Sequence, residues 1–246
     1  MTPSTDANGG EPQTLPEPYH DRDGIRIYHA RCEDVLPHID PASVGLLLTD
    51  PPYGIGLSTD YGARRPGGVG GRVANGSRNY PPVFGDDEPF DPSPLLRYRR
   101  VVLWGANHYA DKLPPCSGWL VWDRLDGLHT DKREQGFNDL PDAELAWTNC
   151  GGTVRTFRHM WTGVLRRSEI GAHVHPTQKP VALMRWIVEK WTKPGDLVLD
   201  PYMGSGPIAQ ACYELGRRYI GCEIVEDYCA TAVKRLSQQV LPLEPA

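Results

Sequence analysis

Several features are missing from this sequence, and each absence removes a class of protein. No stretch of the 246 residues approaches the ~18 consecutive apolar residues that a membrane-spanning helix needs, so no membrane role is expected. The six cysteines (Cys32, Cys116, Cys150, Cys212, Cys222, Cys229) include no Cys-x-x-Cys pair, and His173 and His175 have no other ligand-type residues beside them. No metal site is therefore expected. The cysteines read as free, mostly buried thiols in the reducing cytoplasm. Residues 1–20 are rich in Pro, Gly and Thr without an apolar run, which suits a flexible tail and not a signal peptide. There is no internal repeat. There is no excess of positive charge either: the net charge is −5 and the pI about 5.9, so any contact with nucleic acid has to come from local patches. Glycine (26) and proline (24), by contrast, are abundant, which excludes an ordinary helical bundle and calls for many loops.

The pattern of apolar residues predicts strands over Ile25–His29, Val44–Thr49, Val101–Trp104, Trp119–Trp122, Glu144–Trp147, Leu197–Leu199 and Tyr219–Cys222. From Pro180 a helix is expected, because Val181, Met184, Ile187, Val188 and Trp191 share one face before Pro194-Gly195 stops it. Further helices are expected over 208–215 and 227–239. The alternation argues for an α/β fold: a Rossmann-like, mostly parallel sheet with helices on both faces, in one domain over residues 21–240. Asp50, Asp200 and Glu223 each stand just after a predicted strand. Ligands of open α/β sheets bind at that end of the strands, so three separate segments bring their acids to one crevice.

Gly204-Ser-Gly206-Pro-Ile-Ala209 fits the G-x-G-x-x-G/A turn between a strand and a helix. In that turn the first glycine allows the bend, the second admits a ligand to the backbone, and the third small residue lets helix and strand pack. Glu223 follows Gly204 by 19 residues, near the spacing at which an acid meets ribose hydroxyls. Alone, this motif is equally a glycine-rich loop with no ligand. Asp50-Pro51-Pro52-Tyr53 is more specific. Two prolines end the strand and hold a carboxylate, a backbone carbonyl and an aromatic ring in one small space. Asp50 and the Pro51 carbonyl can both accept hydrogen bonds from one exocyclic amino group, and Tyr53 offers a face to a planar ring. An adenine or cytosine amino nitrogen has its lone pair delocalised into the ring, and two aligned acceptors favour the pyramidal form that can attack. The run His175-Pro-Thr-Gln-Lys-Pro180 is, by composition alone, a polar loop before a helix.

Together, TDPPYG (Thr49–Gly54), HPTQKP (175–180) and DPYMGSG (200–206) resemble the β group of amino-group DNA methyltransferases, in which the catalytic motif comes first and the cofactor motif last. The resemblance covers about residues 25–240 and includes WGANHY (104–109), LGRRYIGCEI (215–224), Tyr228 and Arg235. It implies a methyltransferase fold in permuted order and S-adenosylmethionine as cofactor. It further implies a DNA substrate, with a homodimer as one arrangement, and names no restriction partner. Asp50, Pro51, Pro52 and Tyr53 would bind the target amino group and the flipped base. Asp200, Tyr202, Gly204 and Gly206 would shape the loop around the methionine part of the cofactor, with Asp50 beside it. Glu223 would hold the ribose hydroxyls, and Thr177 and Lys179 the methionine end. Two positions depart from the family pattern. Ala30-Arg31 stands where relatives carry Gly-Asp, leaving Glu33 or Asp34 to supply the acidic contact near the adenine moiety, and Pro207 follows Gly206, where the start of a helix tolerates it.

A base inside a duplex has to be flipped out before it can be methylated. Residues 61–80 hold Arg64, Arg65, Arg72 and Arg78 and no acid, and residues 151–168 hold Arg155, Arg158, Arg166 and Arg167, again with no acid. These are the candidate phosphate contacts, against the alternative of solvated surface arginines. Recognition is expected to be shared between the loops at about 55–92 and 150–173, where His159 and Trp161 are candidates for bases or for core. Adenine N6 is the favoured acceptor, because Asp at the first position of the catalytic motif looks more like the adenine enzymes; cytosine N4 is the alternative. A catalytically inactive DNA-binding relative and a nicotinamide-dependent oxidoreductase are the rivals from other classes. Only 40 residues follow Gly206, too few for a second dinucleotide half, and an oxidoreductase would leave Asp50–Tyr53 unexplained. Pro115-Cys116 resembles the nucleophile of carbon-5 cytosine methylation, which needs covalent thiolate attack, but the motif order around it is wrong. Cys116 is therefore read as structural, and Cys116→Ser is expected to retain full methyl transfer; a dead but folded variant would overturn that reading.

Overall fold

The computed structural model describes residues 14–57, 83–127, 141–162, 165–169 and 178–237. Their backbone forms one nine-stranded sheet. In chain order its strands are β1 (His20–Arg22), β2 (Ile25–His29), β3 (Leu46–Thr49), β4 (Val101–Trp104), β5 (Trp119–Asp123), β6 (Ala143–Thr148), β7 (Arg155–Arg158), β10 (Leu197–Asp200) and β11 (Arg218–Glu223). Strands β8 (Trp161–Thr162) and β9 (Leu165–Arg166) pair separately as a small antiparallel ribbon. The helices are α1 (Cys32–Val35), α2 (Val181–Trp191), α3 (Pro207–Glu214) and α4 (Glu226–Ser237), joined by several single 3-10 turns. No helix among the described residues is long and apolar enough to cross a membrane.

Across the sheet the order is β1-β2-β11-β10-β3-β4-β6-β5-β7. The five strands from β2 to β4 are mutually parallel, β1 and β6 run antiparallel to their neighbours, and β7 is parallel to β5. The two strands from the end of the chain, β10 and β11, lie between two from its beginning, β2 and β3. This is the permuted arrangement expected from the motif order. From β10 the chain crosses through α3 to β11 on one side, whereas β3 leads to β4 on the other. The gap between β10 and β3 is thus the topological switch point, where open α/β sheets form their ligand crevice. Thr49-Asp50 and Asp200 flank it.

The apolar runs divide between two cores because strand side chains alternate. Leu46, Leu48, Val102, Trp104, Val198 and Tyr219 face α2, α3 and α4, together with Leu183, Met184, Ile187, Ile208, Cys212 and Cys229. Leu47, Val101, Leu103, Leu199, Ile220 and Cys222 face the other way, toward Val35, Phe90, Leu95, Tyr98 and Tyr109. Both faces carry helix, but the three long helices share one face, and α1 with short turns covers the other. Burial of one such Leu or Ile is worth ~1.5–3 kcal/mol, and these residues fix which side of each strand faces which layer. Pro180 caps α2 from outside, with φ −64° and ψ 138°, instead of occupying its first turn. All six cysteines are free, four buried and two (Cys116, Cys150) half-buried.

Gly206 has a packing role that its motif does not announce. It sits at φ +77°, and a Cβ there would fall 2.6 Å from the Cβ of Ala232 on α4. The missing side chain admits a neighbouring helix, so this glycine serves packing of α3 against α4.

Candidate active site

The site begins where β3 ends. Asp50 leaves the sheet at the prolines, and its carboxylate meets a buried lysine from the run before α2. The ammonium of Lys179 lies 2.5 Å from Asp50 Oδ2, 3.0 Å from Glu144 Oε2 and 3.2 Å from the hydroxyl of Tyr53. An ammonium has three protons to donate, and these three acceptors match them. The Tyr53 hydroxyl itself donates to Asp50 Oδ1. Glu144, on β6, accepts with its other oxygen from Arg124 Nη1 at 3.0 Å, and Arg124 reaches the carbonyl of Trp161 at 3.1 and 3.2 Å. The rings of Tyr53 and Trp104 lie 5.9 and 5.8 Å from the Lys179 nitrogen.

The electrostatics follow from burial. Loss of water raises the pKa of Asp50; the Lys179 charge opposes this and Glu144 adds to it. For Lys179 burial opposes the charge, but Asp50 and Glu144 together outweigh it, so the amine holds its proton more tightly than usual. Burial and the neighbouring Asp50 charge push the Tyr53 hydroxyl well up, so it stays a donor. These contacts set Lys179, which the resemblance places at the methionine end of the cofactor, directly against the carboxylate of Asp50.

The Asp50–Tyr53 turn is held by a residue that the sequence pattern did not single out. Asp86 is buried, and its Oδ1 accepts from the backbone N–H groups of Tyr53 (2.9 Å), Gly54 (2.9 Å) and Ile55 (3.3 Å). Its Oδ2 accepts from Leu57 N–H at 2.6 Å, and its own carbonyl accepts from Gly56 N–H at 2.8 Å. Five consecutive N–H groups thus close around one residue, four of them in charge-assisted bonds to its carboxylate that are stronger than neutral ones. The turn needs glycine at 54, where φ is +74° and a Cβ would sit 2.5 Å from the Glu88 carbonyl. Gly105, after β4, meets the Tyr53 ring so closely that a Cβ would lie 1.9 Å from its Cε1. His108 from the same WGANHY stretch stacks on Tyr53, with centroids 5.0 Å apart and planes at 12°. The expected stacking surface of Tyr53 therefore carries an exposed histidine ring.

Across the switch point, Asp200 is fully buried. Its Oδ1 accepts from the Thr49 hydroxyl at 2.7 Å and its Oδ2 from the Tyr219 hydroxyl at 2.9 Å, tying β3, β10 and β11 together. Burial pushes its pKa up to about 7. It shapes the loop from below. Tyr202 packs edge-on against Phe90, with centroids 5.8 Å apart. Gly204 takes φ +55°, and its N–H donates to Glu223 Oε2 at 2.9 Å, while Val225 N–H donates to Glu223 Oε1 at 2.8 Å. Burial raises the Glu223 pKa and these backbone donors oppose the rise. Each carboxylate oxygen keeps a second lone pair, so Glu223 can still accept from hydroxyls. Among the described residues, Ser205 Oγ in this turn and Gln178 Oε1 before α2 are buried without a hydrogen-bond partner. A polar ligand with vicinal hydroxyls and an amino-acid end fits these groups.

The arginines divide. Arg155 and Arg158 lie on the edge strand β7 and are exposed, Arg158 with its Nε 3.7 Å from Asp123. Arg167 is exposed and pairs with Asp126 at 2.9 Å, and Arg166 lies over the ring of Trp161 at 4.2 Å. His159 and Trp161 are both buried, Trp161 within the apolar core and His159 with its Nε2 2.9 Å from Ser168 Oγ. Cys116 donates to the Thr148 carbonyl at 3.1 Å and accepts from Gly118 N–H at 3.2 Å, a turn-holding role that fits its structural reading. Arg64, Arg65, Arg72, Arg78, His173, His175 and Thr177 lie outside the described residues.

Comparison with known proteins matches this arrangement. The sequence model of the N6/N4 DNA methylases matches residues 104–234. The type II methyltransferase M2.DpnII of Streptococcus pneumoniae is 41% identical over 265 aligned residues, covering 92% of this chain and 94% of its own. M2.LlaDCHI of Lactococcus lactis subsp. cremoris is 26% identical, covering 91% and 93%. The solved complex of M1.HpyAVI with SAM superposes with a TM-score of 0.52 at 24% identity, over 86% of this chain and 98% of that one. The cytosine-N4-specific PvuII DNA methyltransferase superposes with a TM-score of 0.57 at 14% identity, over 90% and 88%. These two structures bear on the fold alone. The chain belongs to the N6/N4 DNA methylase family, and is a DNA methyltransferase that uses S-adenosylmethionine.

The Asp86 clamp generates a prediction. Asp86→Ala leaves four N–H groups of the Asp50–Leu57 turn without their carboxylate acceptor, and turnover is expected to fall by about a hundredfold. Cofactor affinity, measured by calorimetry, should change little, because Glu223 stands at the end of β11 and Gly204 in the turn after β10. Near-normal turnover would show that the turn holds its shape without the clamp.

Proposed function

We propose that this enzyme transfers the methyl group of S-adenosylmethionine to the N6 amino group of adenine at a specific site in DNA. The observation that carries this reading is Asp50, an acceptor at the strand end with a buried ammonium against it. The target base enters flipped out of the duplex, and its amino group donates to Asp50 and to the Pro51 carbonyl. Those two acceptors draw the nitrogen lone pair out of conjugation and toward the methyl group. The cofactor supplies that methyl on a positively charged sulfur. Glu223 would hold the ribose hydroxyls, the turn at Gly204 with Tyr202 and the braced Asp200 would shape the wall, and Ser205 and Gln178 would meet the polar amino-acid end.

Transfer is direct. The nitrogen–carbon bond forms as the carbon–sulfur bond breaks, its electron pair stays on sulfur, and the extra proton on nitrogen passes to Asp50. No thiolate takes part, in keeping with the place of Cys116. Holding nitrogen and methyl at attack distance is the main catalytic contribution. Arg155, Arg158, Arg166 and Arg167, with the arginines of residues 61–80, would meet the phosphates. A DNA substrate implies a cytoplasmic setting.

Cytosine N4 is the second reading, because its amino group presents the same donors and the shared fold extends to a cytosine-N4 enzyme. Asp at the first catalytic position favours adenine. Nucleoside mass spectrometry of DNA from a host without its own methylases, expressing this protein, is expected to show N6-methyladenine. With Asp50→Ala the mark should vanish while S-adenosylmethionine still binds. N4-methylcytosine instead would select the second reading, and near-normal marking by the variant would refute the role of Asp50.

A further inference from the structure

We propose that Glu144 is a positioning residue for methyl transfer, holding the ammonium of Lys179 against Asp50 and balancing its charge when Asp50 takes the proton. This rests on the methyl-transfer reading above. Glu144 belongs to none of the three motifs and stands on β6, the antiparallel strand paired with the last of the parallel five. Its side chain nevertheless reaches Lys179 at 3.0 Å and is fixed from behind by Arg124 at 3.0 Å. Arg124 is in turn held by the Trp161 carbonyl at 3.1 Å. Two carboxylates and two cations alternate in the order Asp50, Lys179, Glu144, Arg124.

The order matters when the reaction proceeds. Before transfer the four charges sum to zero. When the methylated nitrogen gives its proton to Asp50, that carboxylate becomes neutral. Without Glu144, Lys179 would then be a buried ammonium with no counter-charge, which is costly. Glu144 keeps it paired. It also divides the ammonium between two acceptors, so that Asp50 retains acceptor strength for the incoming amino group. The other ionisable groups around this line are Tyr53 and Tyr109 beside Asp50, and Asp200 across the switch point. Glu144 raises the proton affinity of Asp50, while Lys179 lowers it.

The sign of the test follows. Removing the Glu144 charge lowers the pKa of Asp50, so the acid limb of the kcat/KM profile moves to lower pH. Because Asp50 then takes the proton less readily, kcat falls by roughly tenfold to a hundredfold. The experiment is methyl transfer from labelled S-adenosylmethionine to DNA across pH, for wild type, Glu144→Gln and Glu144→Asp. The aspartate keeps the charge but withdraws it by one methylene, so its acid limb should stay near that of wild type while kcat falls. It also supplies a readable variant if the glutamine, which turns an amide N–H toward Lys179 or Arg124, folds poorly. If wild type transfers methyl and the acid limb of Glu144→Gln coincides with it, Glu144 is only structural and the inference fails. If the aspartate variant shifts as far as a charge loss would, the inference also fails. A folded wild type with no transfer at any pH would instead refute the methyl-transfer reading.

Discussion

One buried ammonium organises this molecule's chemistry. Lys179 sits between Asp50 and Glu144, at 2.5 and 3.0 Å, where water is largely excluded. A charge in such a place is tolerated only when it is paired and fully hydrogen-bonded. The requirement fixes three segments at once. The turn after β3 must present Asp50, the run before α2 must enter the sheet's edge to deliver Lys179, and β6 must bring Glu144 across with Arg124 behind it. Asp50, the group that meets the target base in the proposed reaction, thereby becomes rigid, charged and oriented.

The permuted sheet makes that meeting possible. Because β10 and β11 insert between β2 and β3, the end of β3 lies beside the start of the glycine turn. Thr49 bonds to Asp200 across the gap, and Asp200 bonds onward to Tyr219. The Asp50 turn and the glycine turn are therefore hinged on one buried hydrogen-bonded unit. Methyl donor and acceptor have to approach within bond-forming range, and a shared brace keeps the two turns in register. Gly206 contributes by letting α4 pack against the start of α3, which holds the glycine turn in place.

What the sequence reveals about this fold is what local chemistry dictates. Asp50, Asp200 and Glu223 are legible because prolines and glycines mark the strand ends on which they stand. The central strands are legible because LLLT and LVLD are apolar on both faces, as a covered parallel strand must be. Glu144, Asp86, Arg124 and His108 are not legible in this way. Lys179 and Asp50 are 129 residues apart, and Asp86 lies 33 residues from the turn it clamps. Nothing local separates Asp86 from Asp87 beside it, or Glu144 from any acid on a half-buried strand. Their roles exist only once the sheet has assembled. The same reason explains Gly206: the turn motif announces a glycine but not which neighbour needs the space.

The central claim is that a shared buried charge holds the site together. The most direct test is the pH dependence of unfolding free energy, by urea, for Lys179→Met. Loss of the ammonium leaves Asp50 and Glu144 facing each other with a single counter-charge, Arg124, and the native pKa of Asp50, already raised by burial, rises further above that of the unfolded chain. The folded state then binds more protons than the unfolded state, so stability falls as pH rises. The variant is predicted to be about 3–5 kcal/mol less stable than wild type at pH 8, and to recover much of that difference when the pH is lowered toward 5.5. A Lys179→Met protein as stable as wild type at pH 8, with no change on acidification, would contradict the account.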